Sequence, residues 1–160
     1  MQTEEALSDK NSFIWPIRVY YEDTDCGGVV YHSNYLKFME QARTEWLRHL
    51  GLEQDVLIND YGIIFAVRSL SIDYLKPALF NQLLKVETII EKMGKISLFF
   101  KQLIYCEQHP QNKQLLSSAN VKIVCLAYDQ QLKKILGPKK LPEDIYQRLQ
   151  IADRNKNNHA

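Results

Sequence analysis

An acidic, glycine-containing loop near the N-terminus holds the residues with the clearest chemical potential. Glu22, Asp23 and Asp25 place three carboxylates within four positions, and Gly27 and Gly28 follow directly. Glycine permits a tight backbone path and lets another molecule approach the main chain closely. A carboxylate in such a loop can activate water as a general base or attack an electrophile as a nucleophile.

A helix is predicted directly after this loop. Ser33 is the predicted N-cap and Gly51 the residue that follows the C-terminus. The first N–H groups of a helix have no intrahelical acceptor, so together with the helix dipole they can stabilise an oxyanion. The loop and the helix start can therefore supply a base and an oxyanion site. The helix is predicted from one apolar stripe at helical spacing: Tyr35, Phe38, Met39, Ala42, Trp46 and Leu50.

The run YEDTDCGGVVYHSNYLKFMEQAR resembles the signature of the 4-hydroxybenzoyl-CoA thioesterase family. It is most similar to the YbgC-type acyl-CoA thioesterases, which are associated with the Tol-Pal system. The general layout is similar from about Phe13 to Gly137. The resemblance implies an α+β hotdog fold, in which an antiparallel sheet wraps a long central helix. It also implies hydrolysis of an acyl-CoA thioester with no metal and no cofactor, since coenzyme A is part of the substrate.

The same resemblance assigns roles within the loop and the helix start. Asp25 falls on the family's catalytic aspartate, and the residues alone leave open the alternative of a turn aspartate that bonds to local N–H groups. The backbone amide of His32 matches the family's oxyanion site, and its side chain is a further catalytic candidate. Tyr21 is a third candidate, which could hydrogen-bond to the aspartate or the substrate or simply pack in the core. Glu22 and Asp23 are interpreted as strand-end and turn residues outside this role.

Binding of the carrier and of the acyl group requires other side chains. Phosphates of coenzyme A are usually bound by lysine, arginine or backbone N–H groups. Lys92 and Lys95 flank a predicted strand turn, and Arg68 is another option; each of them could equally be a solvated surface charge. Tyr35 is a candidate acyl contact, with plain core packing as its alternative.

Other catalytic and metal motifs are absent or incomplete. Cys26 lies among carboxylates, which disfavour a reactive thiolate. The pair Cys106-x-x-His109 is too small for a zinc site, and the loop from Asp23 lacks the ligands of a calcium loop. No metal is expected.

Bulk properties restrict partners and location. The chain has 160 residues and a formal net charge of +1, which argues against nucleic-acid binding through a general basic field. No secretory signal or membrane span is recognisable, so membrane association would be at most peripheral. Three widely spaced cysteines fit a reducing cytoplasm.

The order of elements predicts one antiparallel α+β domain. Consecutive strands without alternating βαβ units exclude a parallel sheet. We expect an N-terminal arm over 1–12, the domain over 13–137 and a short helix with a polar tail over 138–160. Strands are predicted at Phe13–Tyr21, Ile63–Tyr74, Leu83–Glu91, Ile96–Cys106, Gln114–Tyr128 and near Ile135, with helices from Tyr35, over Leu52–Asp60 and over Pro142–Ile151.

Apolar residues on both faces of the later strands predict a second subunit. One helix cannot cover both sides of such a sheet. We therefore expect a homo-oligomer, and the resemblance implies a dimer or a tetramer. The strand that shows this most clearly alternates Leu98, Phe100 and Ile104 with Phe99, Leu103 and Tyr105.

Two alternative functions remain at this stage. A non-catalytic acyl-thioester-binding or scaffold protein would use the same fold without turnover. A hotdog dehydratase would carry a different motif from DTDCGGVVYH. The sequence leaves open the acyl group, the choice between coenzyme A and acyl carrier protein, and the choice between base and nucleophile for Asp25.

Overall fold

A computed structural model describes residues 12–108 and 111–154. The predicted N-terminal arm lies outside the described residues apart from its last position. Among the described residues, no helix is both long and apolar enough to cross a membrane. The elements are β1 (Phe13–Arg18), α1 (Asn34–His49), α2 (Gln54–Tyr61), β2 (Ile63–Tyr74), β3 (Leu83–Met93), β4 (Ser97–Glu107), β5 (Lys113–Asp129), β6 (Lys134–Pro138) and α3 (Glu143–Arg154).

All strands belong to one antiparallel sheet in the order β1-β3-β4-β5-β2, with β6 paired to β5. The α+β prediction is therefore confirmed. The sheet packs its concave apolar side against α1, and the core contains the predicted stripe residues Phe38, Met39, Ala42 and Trp46. Leu47 is also buried, so the stripe is wider than the predicted one.

The ends of α1 match the predicted positions, but only one of them matches the predicted chemistry. Gly51 adopts φ +75° directly after the helix, a conformation that favours glycine. Ser33 occupies the N-cap position, but its side chain makes no capping hydrogen bond. The prediction of a serine cap is wrong because Ser33 itself is in the right-handed helical region (φ −72°, ψ −21°), whereas a capping residue normally is extended.

The first strand ends earlier than predicted. β1 stops at Arg18, and residues Tyr21–Asp23 form a turn of 3₁₀ helix. The turn is closed by the Asp23 N–H donating to Tyr20 O (3.1 Å) and the Thr24 N–H donating to Tyr21 O (3.1 Å). The prediction that Tyr20 and Tyr21 close a strand is therefore wrong, because local turn bonds replace strand pairing there.

Both faces of β4 are largely buried within the single chain, whereas the sequence predicts that one face is left for a second subunit. Leu98 and Phe100 join the core under α1. Leu103 and Tyr105 are also buried, without belonging to that core. Burial raises the pKa of the Tyr105 hydroxyl to about 12. The covering second subunit itself stays a prediction.

The C-terminal helix α3 packs onto the same core as the rest of the domain. Ile145 and Leu149 are fully buried and Leu141 nearly so. The Leu141 N–H donates to Lys95 O (2.9 Å), and the Tyr61 hydroxyl donates to the Asp144 carboxylate. The segment after 137 therefore contributes to the fold.

A buried glutamine fixes α1 to the sheet. The Gln102 side-chain amide donates to Met39 O and to Thr88 Oγ1, both at 2.9 Å. Its Oε1 accepts a bond from Arg43 Nη1 (2.8 Å). Gln102 is 0 % exposed. If its side-chain amide were removed, Met39 O, Thr88 Oγ1 and Arg43 Nη1 would each lose a hydrogen-bond partner that water would not replace.

We expect Gln102→Met to lower the free energy of unfolding by about 1–3 kcal/mol, because methionine keeps the volume but leaves buried polar groups without partners. Urea denaturation monitored by circular dichroism measures this. Gln114→Met, at an exposed position on β5, is the control and should change little. Equal midpoints for the two variants would contradict this role of Gln102.

Candidate active site

The acidic loop is a short hairpin that leads into α1. Thr24 and Val30 form an isolated antiparallel bridge. The Asp25 N–H donates to Val29 O and the Tyr31 N–H donates to Asp23 O, both at 2.9 Å. Gly28 adopts φ +78° at the tip of the hairpin, which a residue with a side chain would do only under strain. These bonds fix the path from Asp25 to the helix start.

The Asp25 carboxylate is exposed and is oriented by one hydrogen bond. Its Oδ1 accepts from the Gly27 N–H at 2.8 Å. A Cβ at residue 27 would lie 3.2 Å from this oxygen, so glycine leaves the carboxylate its room. The second oxygen has no partner among the described residues. Asp25 thus presents one fixed and one accessible oxygen.

The Asp23 carboxylate has a structural role that the sequence interpretation missed. Its Oδ2 accepts from the Tyr20 N–H (2.8 Å), and its Oδ1 accepts from Asn34 Nδ2 (3.2 Å). Both Asp23 and Asn34 are buried. Asp23 therefore joins the 3₁₀ turn to the first residue of α1. Asp23 and Asn34 are eleven residues apart, and this spacing predicts a contact between them only when the fold is known.

The start of α1 offers free backbone donors. Within 12–108 and 111–154, neither the His32 nor the Ser33 N–H has an acceptor. The His32 carbonyl accepts from the Tyr74 hydroxyl at 2.9 Å, which attaches this turn to the end of β2. The His32 ring is exposed and lies against Tyr31 and edge-on to Tyr74, with centroid distances of 4.4 and 6.4 Å. The predicted oxyanion site is thus unobstructed and held in place.

Tyr21 lies beside the loop but does not contact Asp25. Its ring stacks on Phe80 at 4.0 Å between centroids, and 77 % of the residue is exposed. No hydrogen bond between the Tyr21 hydroxyl and Asp25 occurs among the described residues. The alternative that Tyr21 packs in the core is therefore wrong, whereas a contact of Tyr21 with substrate stays a prediction.

Tyr35 is placed in the core. It is 3 % exposed, and its hydroxyl accepts a bond from the Ala78 N–H at 2.9 Å. Burial raises the pKa of this hydroxyl, and the bond from Ala78 opposes that change. Tyr35 therefore holds the connection between β2 and β3 against α1, which corresponds to the core-packing alternative.

The basic residues predicted for the carrier lie away from Asp25 within one chain. Lys92 is nine residues along β3 from the end beside the loop, which corresponds to about 30 Å at about 3.3 Å per residue. Its ammonium group lies 5.5 Å from the centroid of Phe99. Lys95 is exposed in the β3–β4 turn, and Arg68 is exposed at a bulge in β2. One chain does not bring these three residues to the loop.

The described residues contain no group of three or more His, Cys, Asp or Glu side chains arranged to hold a metal ion. His109, the second member of the isolated Cys–His pair, lies outside the described residues.

Comparisons with known proteins identify relatives over most of the chain. Residues 27–112 match the family model described as the thioesterase superfamily. The acyl-CoA thioesterase YbgC of Haemophilus influenzae is 41 % identical over 82 % of this chain and 92 % of its own length. The acyl-CoA thioester hydrolase YbgC of Escherichia coli is 42 % identical over 83 % of this chain and 92 % of its own length.

Solved structures show the same fold. A probable thioesterase from Bartonella henselae, 31 % identical, superposes with a TM-score of 0.71 over 82 % of this chain and 99 % of its own. The 4-hydroxybenzoyl CoA thioesterase in complex with 4-hydroxybenzoyl CoA, 18 % identical, gives a TM-score of 0.78 over 86 % of this chain and 98 % of its own. The predicted hotdog fold is confirmed.

Asp23→Asn should lower the free energy of unfolding by about 1–3 kcal/mol, because one buried acceptor oxygen becomes an NH₂ group that faces a donor. Urea denaturation measures this loss. Glu22→Gln, at the exposed neighbouring position, is the matched control and should be neutral. If Asp23→Asn were as stable as the control, the connection from the loop to α1 would not depend on Asp23.

Proposed function

This chain belongs to the thioesterase superfamily, and from that membership we propose that it hydrolyses acyl-CoA thioesters to a carboxylic acid and CoA-SH. The observation that carries the proposal is the accessible Asp25 carboxylate next to a helix start with free N–H groups. The leaving group is a thiolate, and since a simple thiol has a pKa of about 8.5 it needs little help from a general acid. Water activation and oxyanion stabilisation are then the main tasks.

Asp25 supports two routes to the same products. As a general base, its free oxygen takes a proton from water while the water oxygen attacks the thioester carbon and the C–S bond breaks. As a nucleophile, that oxygen attacks the carbon and releases the thiolate, and water then hydrolyses the mixed anhydride. The bond from Gly27 to the other oxygen orients the carboxylate in both routes.

The backbone N–H groups of His32 and Ser33 are our proposed oxyanion donors. They directly precede the first turn of the 16-residue helix α1, whose dipole adds positive potential at this end. Tyr74 holds the His32 carbonyl and thereby fixes the orientation of the peptide. The exposed His32 imidazole and the Tyr21 hydroxyl can then hydrogen-bond to the bound thioester from either side of the loop.

Carrier binding is proposed to involve a second chain. Lys92 and Lys95 lie at the end of β3 that is remote from the loop of their own chain, and Arg68 lies at the bulge in β2. In an oligomer, these residues can serve the site of a partner. The chemistry at Asp25 is the same for a coenzyme A and an acyl carrier protein thioester.

The edge strand β2 supports our proposal of a homo-oligomer. Among the described strands, β2 pairs only with β5, so its other edge has unpaired backbone groups. Val67, Leu70 and Tyr74 on this strand are 41–50 % exposed. Pairing of two copies along β2 would satisfy the backbone and cover these side chains, and packing of two such dimers would give the tetramer.

The proposed location is the cytoplasm. Cys26, Cys106 and Cys125 are all free, which suits a reducing compartment. Association with the Tol-Pal system is proposed only from the likeness to YbgC-type proteins.

Asp25→Asn should lower kcat by about 10²–10⁴-fold, since an amide neither takes a proton from water at neutral pH nor attacks a thioester usefully. KM should stay within a few-fold because the carboxamide still lines the site. The measurement is thiol release from a panel of acyl-CoAs of graded length, including aromatic acyl groups. Glu22→Gln is the control and should retain the parent rate.

A parent protein that binds acyl-CoAs but releases no thiol would favour the non-catalytic alternative. Full activity of Asp25→Asn on the best substrate would instead exclude Asp25 and turn attention to the His32 side chain and Glu22.

Light scattering of the purified chain at micromolar concentration should report a dimer or a tetramer. Leu70→Lys places a charge on the exposed side of β2 and should shift the distribution towards the monomer. Lys101→Glu, on β4 away from this edge, is a control for the effect of charge. A stable monomer of the parent chain would contradict both the β2 interface and the proposed sharing of a site between chains.

A further inference from the structure

A cavity of about 120 Å³ lies between α1 and the sheet, apart from the acidic loop. Most of its wall is apolar, formed by Trp46, Leu47, Phe65, Leu98, Phe100 and Ile123. A designed apolar cavity of about 150 Å³ accommodates benzene, so this volume suits a group of roughly that size. Unlike such a cavity, it is also lined by the charged side chains of Glu40 and Arg43.

Arg43 is the unusual group in this cavity. Its side chain is partly buried, and its Nη1 donates to Oε1 of Gln102 at 2.8 Å. Gln102 is neutral, and no carboxylate lies within ion-pair distance of Arg43 among the described residues. Burial lowers the pKa of the Arg43 guanidinium, and the charge of Glu40 opposes that change. The guanidinium is thus partly removed from water and has no paired anion among the described residues, so a ligand in the cavity can supply an acceptor.

The remaining donors of Arg43 are held in a fixed orientation. A guanidinium has five N–H donors, and one of them is used by Gln102. Gln102 cannot rotate away because its own amide donates to Met39 O and Thr88 Oγ1. Glu40 is exposed, and its Oε1 accepts from the Thr44 hydroxyl at 2.9 Å. The other N–H groups of Arg43 are thus available to a ligand in the cavity.

The cavity lies along α1 from the proposed oxyanion site. Glu40, at its nearer end, is six residues after Asn34, which corresponds to about 9 Å along the helix axis at 1.5 Å per residue. An acyl chain whose carbonyl is held at the helix start can reach this far if it has several carbons.

We propose that this cavity receives the distal end of the acyl group and that Arg43 is a specificity-determining residue, which binds an oxygen acceptor at that end. The inference rests on the proposed thioesterase function. The preferred substrates are then acyl-CoAs of medium length that end in a carboxylate or a hydroxyl group. Methyl-ended acyl groups of the same length are poorer substrates, because they offer no acceptor to the remaining N–H groups of the partly buried guanidinium.

The test compares kcat/KM for methyl-ended, ω-hydroxy and ω-carboxy acyl-CoAs of equal length, over about four to ten carbons, which spans the 9 Å reach. The parent enzyme should prefer one of the oxygen-ended series by about tenfold or more, the size of one hydrogen bond to a charged group. The two oxygen-ended series separate a charged from a neutral acceptor. Arg43→Met should abolish the preference while hydrolysis of methyl-ended substrates continues.

Two variants separate recognition from a purely structural role. Arg43→Lys keeps the charge and should retain part of the preference. Arg48→Met removes an exposed arginine that is paired with Glu45 one turn along the same helix, and it should retain the full preference. An equal loss for all substrates in Arg43→Met, with a lower melting temperature, would show that Arg43 only anchors α1 and would overturn the inference.

Binding measurements make the result independent of turnover. Calorimetry measures the affinity of the same acyl-CoAs for two variants, Asp25→Asn and the double variant Asp25→Asn/Arg43→Met. The difference between the two affinities reports the contribution of Arg43 at the cavity. Tighter binding of an oxygen-ended acyl-CoA that is lost in the double variant supports the inference even if the proposed chemistry fails. Equal affinities for methyl-ended and oxygen-ended acyl groups overturn it, even if thiol release by the parent enzyme upholds the proposed function.

Discussion

The two hydrogen bonds accepted by the buried Asp23 carboxylate connect the acidic loop to α1. One comes from the Tyr20 N–H and the other from the Asn34 side chain, so the second residue after β1 and the first residue of the helix share one acceptor group. Asp25 is only two positions away, on a hairpin whose backbone is tightly paired. Because the loop cannot move independently of the helix start, the exposed carboxylate and the free N–H groups keep one relative position.

Gln102 is a second buried polar group, and it attaches the middle of α1 to the sheet. Gln102 reaches from the centre of the sheet to Met39 O and to Arg43. A core made only of apolar contacts would tolerate sliding of the helix along the sheet, because dispersion and burial are not directional. The bonds of Gln102 fix the register and also hold Arg43 at the cavity. Both proposed contacts with substrate therefore depend on polar groups that lie inside the core.

The sequence was most informative where the physics is local. The apolar spacing of α1, the glycine after it and the bounds of β2 follow from periodicity and backbone preferences, and the structure agrees with them. The position of Asp25 in an exposed turn could be predicted for the same reason. The resemblance assigns Asp25 as the catalytic residue, and this assignment cannot be derived from local physics.

Several contacts could not be predicted because the partner groups are distant in sequence. Tyr35 was considered as a substrate contact because nothing in the sequence reveals that its hydroxyl meets the Ala78 N–H, 43 positions away. In the sequence, Asp23 cannot be distinguished from an ordinary acidic turn residue, because its partner Asn34 is eleven positions away. Arg43 and Gln102 are 59 positions apart, and no local pattern marks Arg43 as a partly buried arginine at a cavity.

A crystal structure with a non-hydrolysable acyl-CoA analogue tests the central claim most directly. The analogue's carbonyl oxygen should lie about 2.7–3.1 Å from the backbone nitrogen of His32 or Ser33. The free oxygen of Asp25 should lie about 3–3.5 Å from the carbonyl carbon, or one water molecule away from it. A carbonyl group bound away from the start of α1, with Asp25 still facing solvent, would show that the loop and the helix start do not form the active site.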